Sequence, residues 1–292
     1  MEISYYPGCS LKTSAINFER TALSTLEELG IYALELPRWN CCGVMFSQSA
    51  DNLMLQLAPA RVIMEARETG RKRLLTLCSM CYNTLKRSLL FFKRNGEKLK
   101  KINAFLKLEE RDFSAEGVEV IHLLTLLSEL DTSNFKMKIK KIKSNLKVAS
   151  YYGCLLTRPR EIALDGVENP QIMEKLLEIA GFQTVNYPFK TDCCASFQVV
   201  NRRNVVKKQI RKIVTSAVRN GAEIFALSCP LCEYNLDSVQ QELAQEDETF
   251  TPIPVLYISQ LLSLALGQDP KLNDFSLHRI DPRPLFKEKG LL

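Results

Sequence analysis

The stretch Ile3-Ser4-Tyr5-Tyr6-Pro7-Gly8-Cys9 returns as Val148-Ala149-Ser150-Tyr151-Tyr152-Gly153-Cys154. Each copy reads as a short strand feeding a glycine turn that ends on a cysteine. Working outward from these two openings, the chain falls into register as two copies of one module. An amphipathic helix follows each opening. In the first copy Ala15, Phe18, Ala22, Leu26 and Leu29 share one face, and Gly30 stops the helix. In the second, Asn169-Pro170 supplies a cap and a first position, Ile172, Met173, Leu176, Ile179 and Ala180 the apolar stripe, and Gly181 the stop.

Strands are predicted next over 31–36 and 182–187, each ending at a proline, Pro37 and Pro188. A second helix is expected over 51–69 and 202–220, closed by Gly70 and Gly221. Strands over 74–77 and 224–227 then lead into Cys-x-x-Cys groups that open a further helix, and 118–121 and 253–256 supply a fourth strand in each copy. This alternation predicts an α/β fold. It consists of two pseudo-symmetric modules, each a small parallel sheet flanked by helices, with their sites at the C-terminal edges of the strands. Residues 1–135 form the first module, 136–147 a lysine-rich linker, and 148–292 the second module with a C-terminal tail. Residues 93–117 are a charged insertion with no assigned structure.

All ten cysteines belong to this repeat. The first copy carries Cys9, Cys41, Cys42, Cys78 and Cys81; the second carries Cys154, Cys193, Cys194, Cys229 and Cys232. Cys-x-x-Cys places two sulfurs on one face of a helix's first turn, where the backbone N–H groups and the positive helix end favour thiolates. Pro230 sits just inside the second pair, where a missing N–H costs little. The vicinal pairs are more specific. Consecutive side chains diverge, so two neighbouring sulfurs fit poorly around one tetrahedral ion but can grip different irons of one cluster. Five ligands also exceed the four that zinc or a cubane cluster takes. Iron–sulfur is the leading reading, with structural zinc and a metal-free dithiol relay left open.

With Tyr6-Pro7-Gly8 in front, the pattern Cys9-x31-Cys41-Cys42-Gly43-x34-Cys78-x2-Cys81 resembles the duplicated cysteine-rich CCG domain of the heterodisulfide reductase B subunit. The likeness covers about residues 3–128 and 148–267. It implies two noncubane [4Fe–4S] clusters, each held by the five cysteines of one module, and cleavage of a disulfide between them. It also implies two kinds of partner within a heterodisulfide reductase-like complex, an iron–sulfur protein and a flavin-containing protein. Similar domains occur in glycolate, lactate, glycerol-3-phosphate and succinate oxidoreductases. The alternative function is therefore an electron-transfer or quinone-facing subunit of a succinate, lactate, glycolate or sulfur-oxidising complex. One position departs from the pattern. The second copy reads Cys193-Cys194-Ala195, and a left-handed turn there would cost alanine roughly 1 kcal/mol.

Other residues carry less. No phosphate loop, dinucleotide glycine motif or Ser/His/Asp triad is evident, so flavin and nicotinamide are assigned to partners. Trp39 reads either as a shield for the first site or as core. His122, in an apolar stretch, reads as a hydrogen-bonded structural histidine, and His278, in the tail, as solvated. Arg158, Arg160, Arg202 and Arg203 read as exposed surface, with an anionic substrate or acidic partner as the sharper option. Lys190 is a candidate for delivering charge to a nascent thiolate. The formal charge is +6, and Lys136, Lys138, Lys140, Lys141, Lys143 and Lys147 cluster in the linker without interleaved aromatics. That favours a solvated face over nucleic-acid binding. No apolar run reaches the roughly 20 residues of a membrane span and no secretory leader is read, so the expected location is cytoplasmic, or peripheral at a membrane through a partner.

Overall fold

The structure is a computed structural model that describes residues 1–44, 49, 52–140 and 144–292. It contains two four-stranded parallel sheets of the same topology. The first has β1 (Glu2–Tyr6), β2 (Tyr32–Glu35), β3 (Arg73–Thr76) and β4 (Glu119–His122) in the order β2-β1-β3-β4. The second has β5 (Lys147–Ser150), β6 (Gln183–Val185), β7 (Ile224–Leu227) and β8 (Val255–Tyr257) in the order β6-β5-β7-β8. Registers correspond too: Thr76 lies opposite His122, and Leu227 opposite Tyr257. The two halves are thus one α/β module used twice, as the repeat predicts.

In the first module the crossovers are α1 (Ile16–Glu28), α2 (Leu57–Glu68) and α3 (Ser79–Arg94). Phe18, Ala22 and Leu26 are buried on α1, and Gly30 follows at φ +79°. Residues 93–117, the charged insertion left unassigned by the sequence, carry regular structure. They form α4 (Gly96–Leu106), which buries Ile102 and Leu106, and a 3-10 turn at Lys107–Glu109. Helix α5 (Leu123–Ser128) follows β4, and α6 (Thr132–Lys138) reaches into the expected linker. There Lys138 Nζ donates to Glu28 O and Lys140 N donates to Ala265 O at 3.0 Å, so the first part of the run is tethered to both modules. Lys141, Lys143 and the start of the helix expected from residue 51 lie outside the described residues.

The second module carries α7 (Ile172–Ile179), α8 (Arg203–Arg219), α9 (Pro230–Glu246) and α10 (Ile258–Ala265). Helix α7 starts later than Asn169-Pro170 suggests. Gln171 is its N-cap and its N–H donates to Asp165 Oδ2 at 2.7 Å, so a distant carboxylate satisfies a group that local capping was expected to serve. The C-terminal segment is not a solvated tail. Gln268 Nε2 donates to Ser24 O at 2.9 Å, Lys289 pairs with Glu223 at 2.6 Å, and Phe286 of α11 (Arg283–Glu288) is fully buried. The segment straps α1 of the first module to the second. Among the described residues no helix is long and apolar enough to cross a membrane.

Candidate metal centre

Each cysteine lies just beyond the C-terminal end of a strand. Cys9 follows β1 and Cys154 follows β5. Cys41–Cys42 and Cys193–Cys194 lie beyond β2 and β6. Cys78 and Cys229 follow β3 and β7 and are the N-caps of α3 and α9. Parallel strands end on one edge, so the topology brings the three groups of each module together there. Cys9 Sγ lies 4.0 Å from Cys41 Sγ, and Cys194 Sγ lies 3.3 Å from Cys232 Sγ. All ten thiols are free. Cys42, Cys78, Cys81, Cys194, Cys229 and Cys232 are buried, whereas Cys9, Cys41 and Cys193 reach the surface. Each site therefore has a dry inner wall and an open rim.

Crowded thiols cannot all lose their protons, because adjacent thiolates repel. Hydrogen bonding from Cys41 and Cys81 holds Cys42 down to about 3, while its interaction with Cys42 pushes Cys41 up. In the second site Cys154 holds Cys193 down to about 6, and its interaction with Cys193 pushes Cys154 up. A buried, all-sulfur donor set in which neighbours compete for protons fits a cationic iron–sulfur core, which takes thiolates without that competition.

The sites meet across the module boundary. Cys78 is lowered first by Cys229 and then by Cys81. Cys229, pulled down by Cys232, is nevertheless pushed up to about 12 by Cys78 and burial. The flanking serines clasp. Ser79 N and Oγ donate to Ser228 O at 3.3 and 3.1 Å, and the two hydroxyls are 3.2 Å apart.

Tyr6 and Tyr151, in the two opening stretches, brace the sites alike. Tyr6 Oη donates to Asn40 O at 2.8 Å and Tyr151 Oη to Asp192 O at 2.6 Å, in each case the carbonyl just before the vicinal pair. Their position three residues before Cys9 and Cys154 was the available signal. Trp39 is half-buried, edge-on to Tyr6 with centroids 6.0 Å apart, and donates from Nε1 to Glu35 at 3.0 Å. It thus supports the brace rather than simply filling core. At Gly8, φ +72°, a Cβ would sit 2.9 Å from Cys81 Sγ, so glycine lets the strand pass the sulfur. Ala195 adopts φ +59°, ψ +29°, the left-handed turn that the sequence flagged as costly.

His122 is fully buried and hydrogen-bonded, and burial drives it down to about 3. His278, expected in solvent, is buried instead. Its Nε2 faces two amide donors, Asn17 Nδ2 at 3.2 Å and Gln260 Nε2 at 3.0 Å. Both amides are oriented by their oxygens, which accept from Phe18 N and Tyr257 N. Nε2 must therefore accept, the proton sits on Nδ1, and Nδ1 faces Glu233 Oε1 at 3.3 Å. That tautomer leaves no lone pair on Nδ1 to offer a cation, and Asp237 beside it accepts instead from Arg279 N and Ile280 N. Lys190 is committed to Glu174 at 2.9 Å and Pro170 O at 2.7 Å, and does not serve a thiolate. Arg203 pairs with Glu242; Arg158, Arg160 and Arg202 are exposed.

Comparison with known proteins agrees with this geometry. The CCG cysteine-rich domain matches residues 3–86 and 148–237. The 8-methylmenaquinol:fumarate reductase membrane anchor subunit of Wolinella succinogenes is 32% identical over 91% of this chain and 92% of its own. The B subunit of the ferredoxin/F(420)H(2)-dependent CoB-CoM heterodisulfide reductase of Methanosarcina acetivorans is 30% identical over 92% of this chain and 90% of its own. A crystal structure of a hypothetical protein from Helicobacter pylori shares the fold, with TM-score 0.73 and 14% identity over 95% of this chain, which spans 51% of that chain. With the domain matched in both halves and the quintets assembled at equivalent sheet edges, the chain belongs to the family of duplicated CCG cysteine-rich domain proteins that includes the heterodisulfide reductase B subunits.

Proposed function

We propose that the chain is an iron–sulfur oxidoreductase subunit in which each cysteine quintet holds one noncubane [4Fe–4S] cluster. The reaction we assign is reduction, or in reverse formation, of a disulfide: RS–SR + 2 e⁻ + 2 H⁺ → 2 RSH. Electrons are exchanged through a flavin-containing partner and an iron–sulfur partner of a heterodisulfide reductase-like complex. Bound clusters would supply one-electron chemistry at iron. Cys9, Cys41, Cys42, Cys78 and Cys81 would hold one, and Cys154, Cys193, Cys194, Cys229 and Cys232 the other.

The observation that carries this reading is the junction beside Cys78 and Cys229, where Ser79 N and Oγ donate to Ser228 O at 3.3 and 3.1 Å. Two one-electron sites that must act on one disulfide need to be adjacent, and this contact supports that arrangement. The chain's own residues bury the inner thiols and leave Cys9, Cys41 and Cys193 on an open rim where a substrate can approach. The test is anaerobic purification with iron and acid-labile sulfide quantitation, followed by turnover of a small disulfide with reduced viologen. Iron and sulfide in equal amounts with disulfide turnover are expected. A colourless zinc protein would overturn the reading.

A second reading, a quinone-facing electron-transfer subunit, is favoured by one observation besides the Wolinella relative's name. Phe197, Val200, Val205 and Tyr234 are 53%, 88%, 50% and 51% exposed on elements that follow the second site's cysteines. An apolar surface there suits a quinol or its protein carrier. Oxidation of a menaquinol analogue without disulfide turnover would select this reading.

A further inference from the structure

The two halves differ in one backbone donor where they meet. By the repeat, Ser79 corresponds to Pro230, each the first helical residue after its N-cap cysteine, and Leu77 corresponds to Ser228, each the residue just before it. Ser79 N donates across the boundary to Ser228 O at 3.3 Å. Perfect pseudo-symmetry would return a bond from the N–H of residue 230 to Leu77 O. Proline has no N–H. Leu77 O instead accepts from His122 Nε2 at 2.9 Å. His122 is fixed for this task, because its Nδ1 accepts from Leu124 N at 3.2 Å in capping α5, which leaves the proton on Nε2. Nε2 also lies 3.5 Å from Ser228 Oγ. Leu77 and His122 are both 0% exposed, so water cannot take over either bond.

We infer that His122 is a positioning residue for the junction of the two sites, supplying from β4 the hydrogen bond to Leu77 O that Pro230 cannot make. Without it a buried carbonyl next to Cys78 goes unpaired, and the strand end that sets the Cys78 to Cys229 approach is free to shift. The inference rests on the proposed pair of redox sites for its consequence, but not for its geometry. Its mirror is the absence of any such need at Ser228 O, which the Ser79 N–H already serves.

The test compares His122→Leu, His122→Gln, Pro230→Ala and the double variant His122→Leu/Pro230→Ala in the cluster-loaded, full-length protein. Melting temperature, electron spin resonance line shape and the midpoint potentials of both sites are read. His122→Leu should lower the melting temperature by several degrees and alter the spin–spin broadening between the sites. His122→Gln, which keeps a donor, should leave both near their starting values. Pro230→Ala restores the missing N–H, so the double variant should recover a large part of what His122→Leu loses. A His122→Leu protein with unchanged line shape and potentials would reduce His122 to a structural residue and overturn the inference, as would a double variant no better than His122→Leu. Should His122→Leu fail to fold, the double variant carries the test: a folded double variant supports the inference and an unfolded one overturns it. If the protein proves to hold no iron, the redox reading fails, yet recovery of melting temperature by Pro230→Ala still decides the hydrogen-bond exchange.

Discussion

At the ends of β4 and β8 the two modules place different residues on the same backbone. His122 ends β4, caps α5 and hydrogen-bonds toward the module boundary. Tyr257 ends β8, precedes α10 and stacks on Phe18 of the first module with centroids 4.3 Å apart and planes at 3°. Its hydroxyl donates to Glu233 Oε2 at 3.3 Å. Topology, register and the cysteine positions are shared because both sheets need the same edge to gather five sulfurs. The residues at the ends of β4 and β8 are not shared, because each module packs against the other and not against a copy of itself. Duplication preserved the site and let the interface diverge.

The sharpest way to break this comparison is to remove one site at a time. Cys81→Ser should empty the first site and Cys232→Ser the second, each leaving about half the iron and no measurable turnover, by iron and sulfide quantitation and a disulfide assay. Full activity in either variant would mean that one module works alone, and the junction of Cys78 with Cys229 would then be incidental. A graded version uses the glycines. A Cβ on Gly8 would lie 2.9 Å from Cys81 Sγ, whereas one on Gly153 would lie 3.3 Å from Cys232 Sγ, both at positive φ. Gly8→Ala should therefore cost more iron at its site than Gly153→Ala at its own. Equal losses would show that backbone strain, common to both, outweighs the contact.

Much of this was legible in the chain. Gly30, Gly70 and Gly221 marked helix ends because they take the left-handed conformation there. Cys-x-x-Cys before an amphipathic run marked the start of a helix, and the strand-to-cysteine spacing located the sites. What could not be read depends on contacts distant in sequence. His278 is buried only because Asn17 and Gln260, 261 and 18 residues away, close over it. Residues 93–117 fold because Ile102 and Leu106 find the first module's core, which a charge-rich composition conceals. The cap of α7 comes from Asp165, six residues upstream of the N–H it serves. The exchange at Pro230 depends on contacts between the two halves that neither half displays alone.

Protonation should separate the modules in opposite directions. Burial depresses His122 to about 3, below its usual 6.5, so its neutral form is favoured by folding. That contribution is fully present above about pH 6.5 and is lost as pH falls toward 3. Burial, with Glu233 adding to it, raises Asp237 from 3.8 to about 6, so its protonated form is favoured by folding. That contribution is present below pH 3.8 and is lost as pH rises through 6, on the order of 3 kcal/mol for such a shift. In urea unfolding, Asp237→Asn should therefore remove a loss of stability between pH 4 and 6.5, and His122→Gln should remove a gain over that range. Parallel pH profiles for the two variants would sink the assignment.

The smallest effect lies at the turns after the vicinal pairs, and it bears most directly on how the copies diverged. Gly43 sits at φ +86° and a Cβ there would come within 3.2 Å of Ala58 Cβ. Ala195 occupies the matching position at φ +59° with its methyl group in place. Left-handed alanine costs about 1–2 kcal/mol, and glycine's extra freedom in the unfolded chain returns about 0.4–1 kcal/mol of that. Ala195→Gly should then stabilise by a few tenths to about 1 kcal/mol, while Gly43→Ala should destabilise by more than that, since it adds the contact with Ala58 to the strain. Denaturant midpoints measure both. If Ala195→Gly destabilises, the alanine methyl contributes packing that outweighs its strain, and the second module has adapted to a residue that the first would not tolerate.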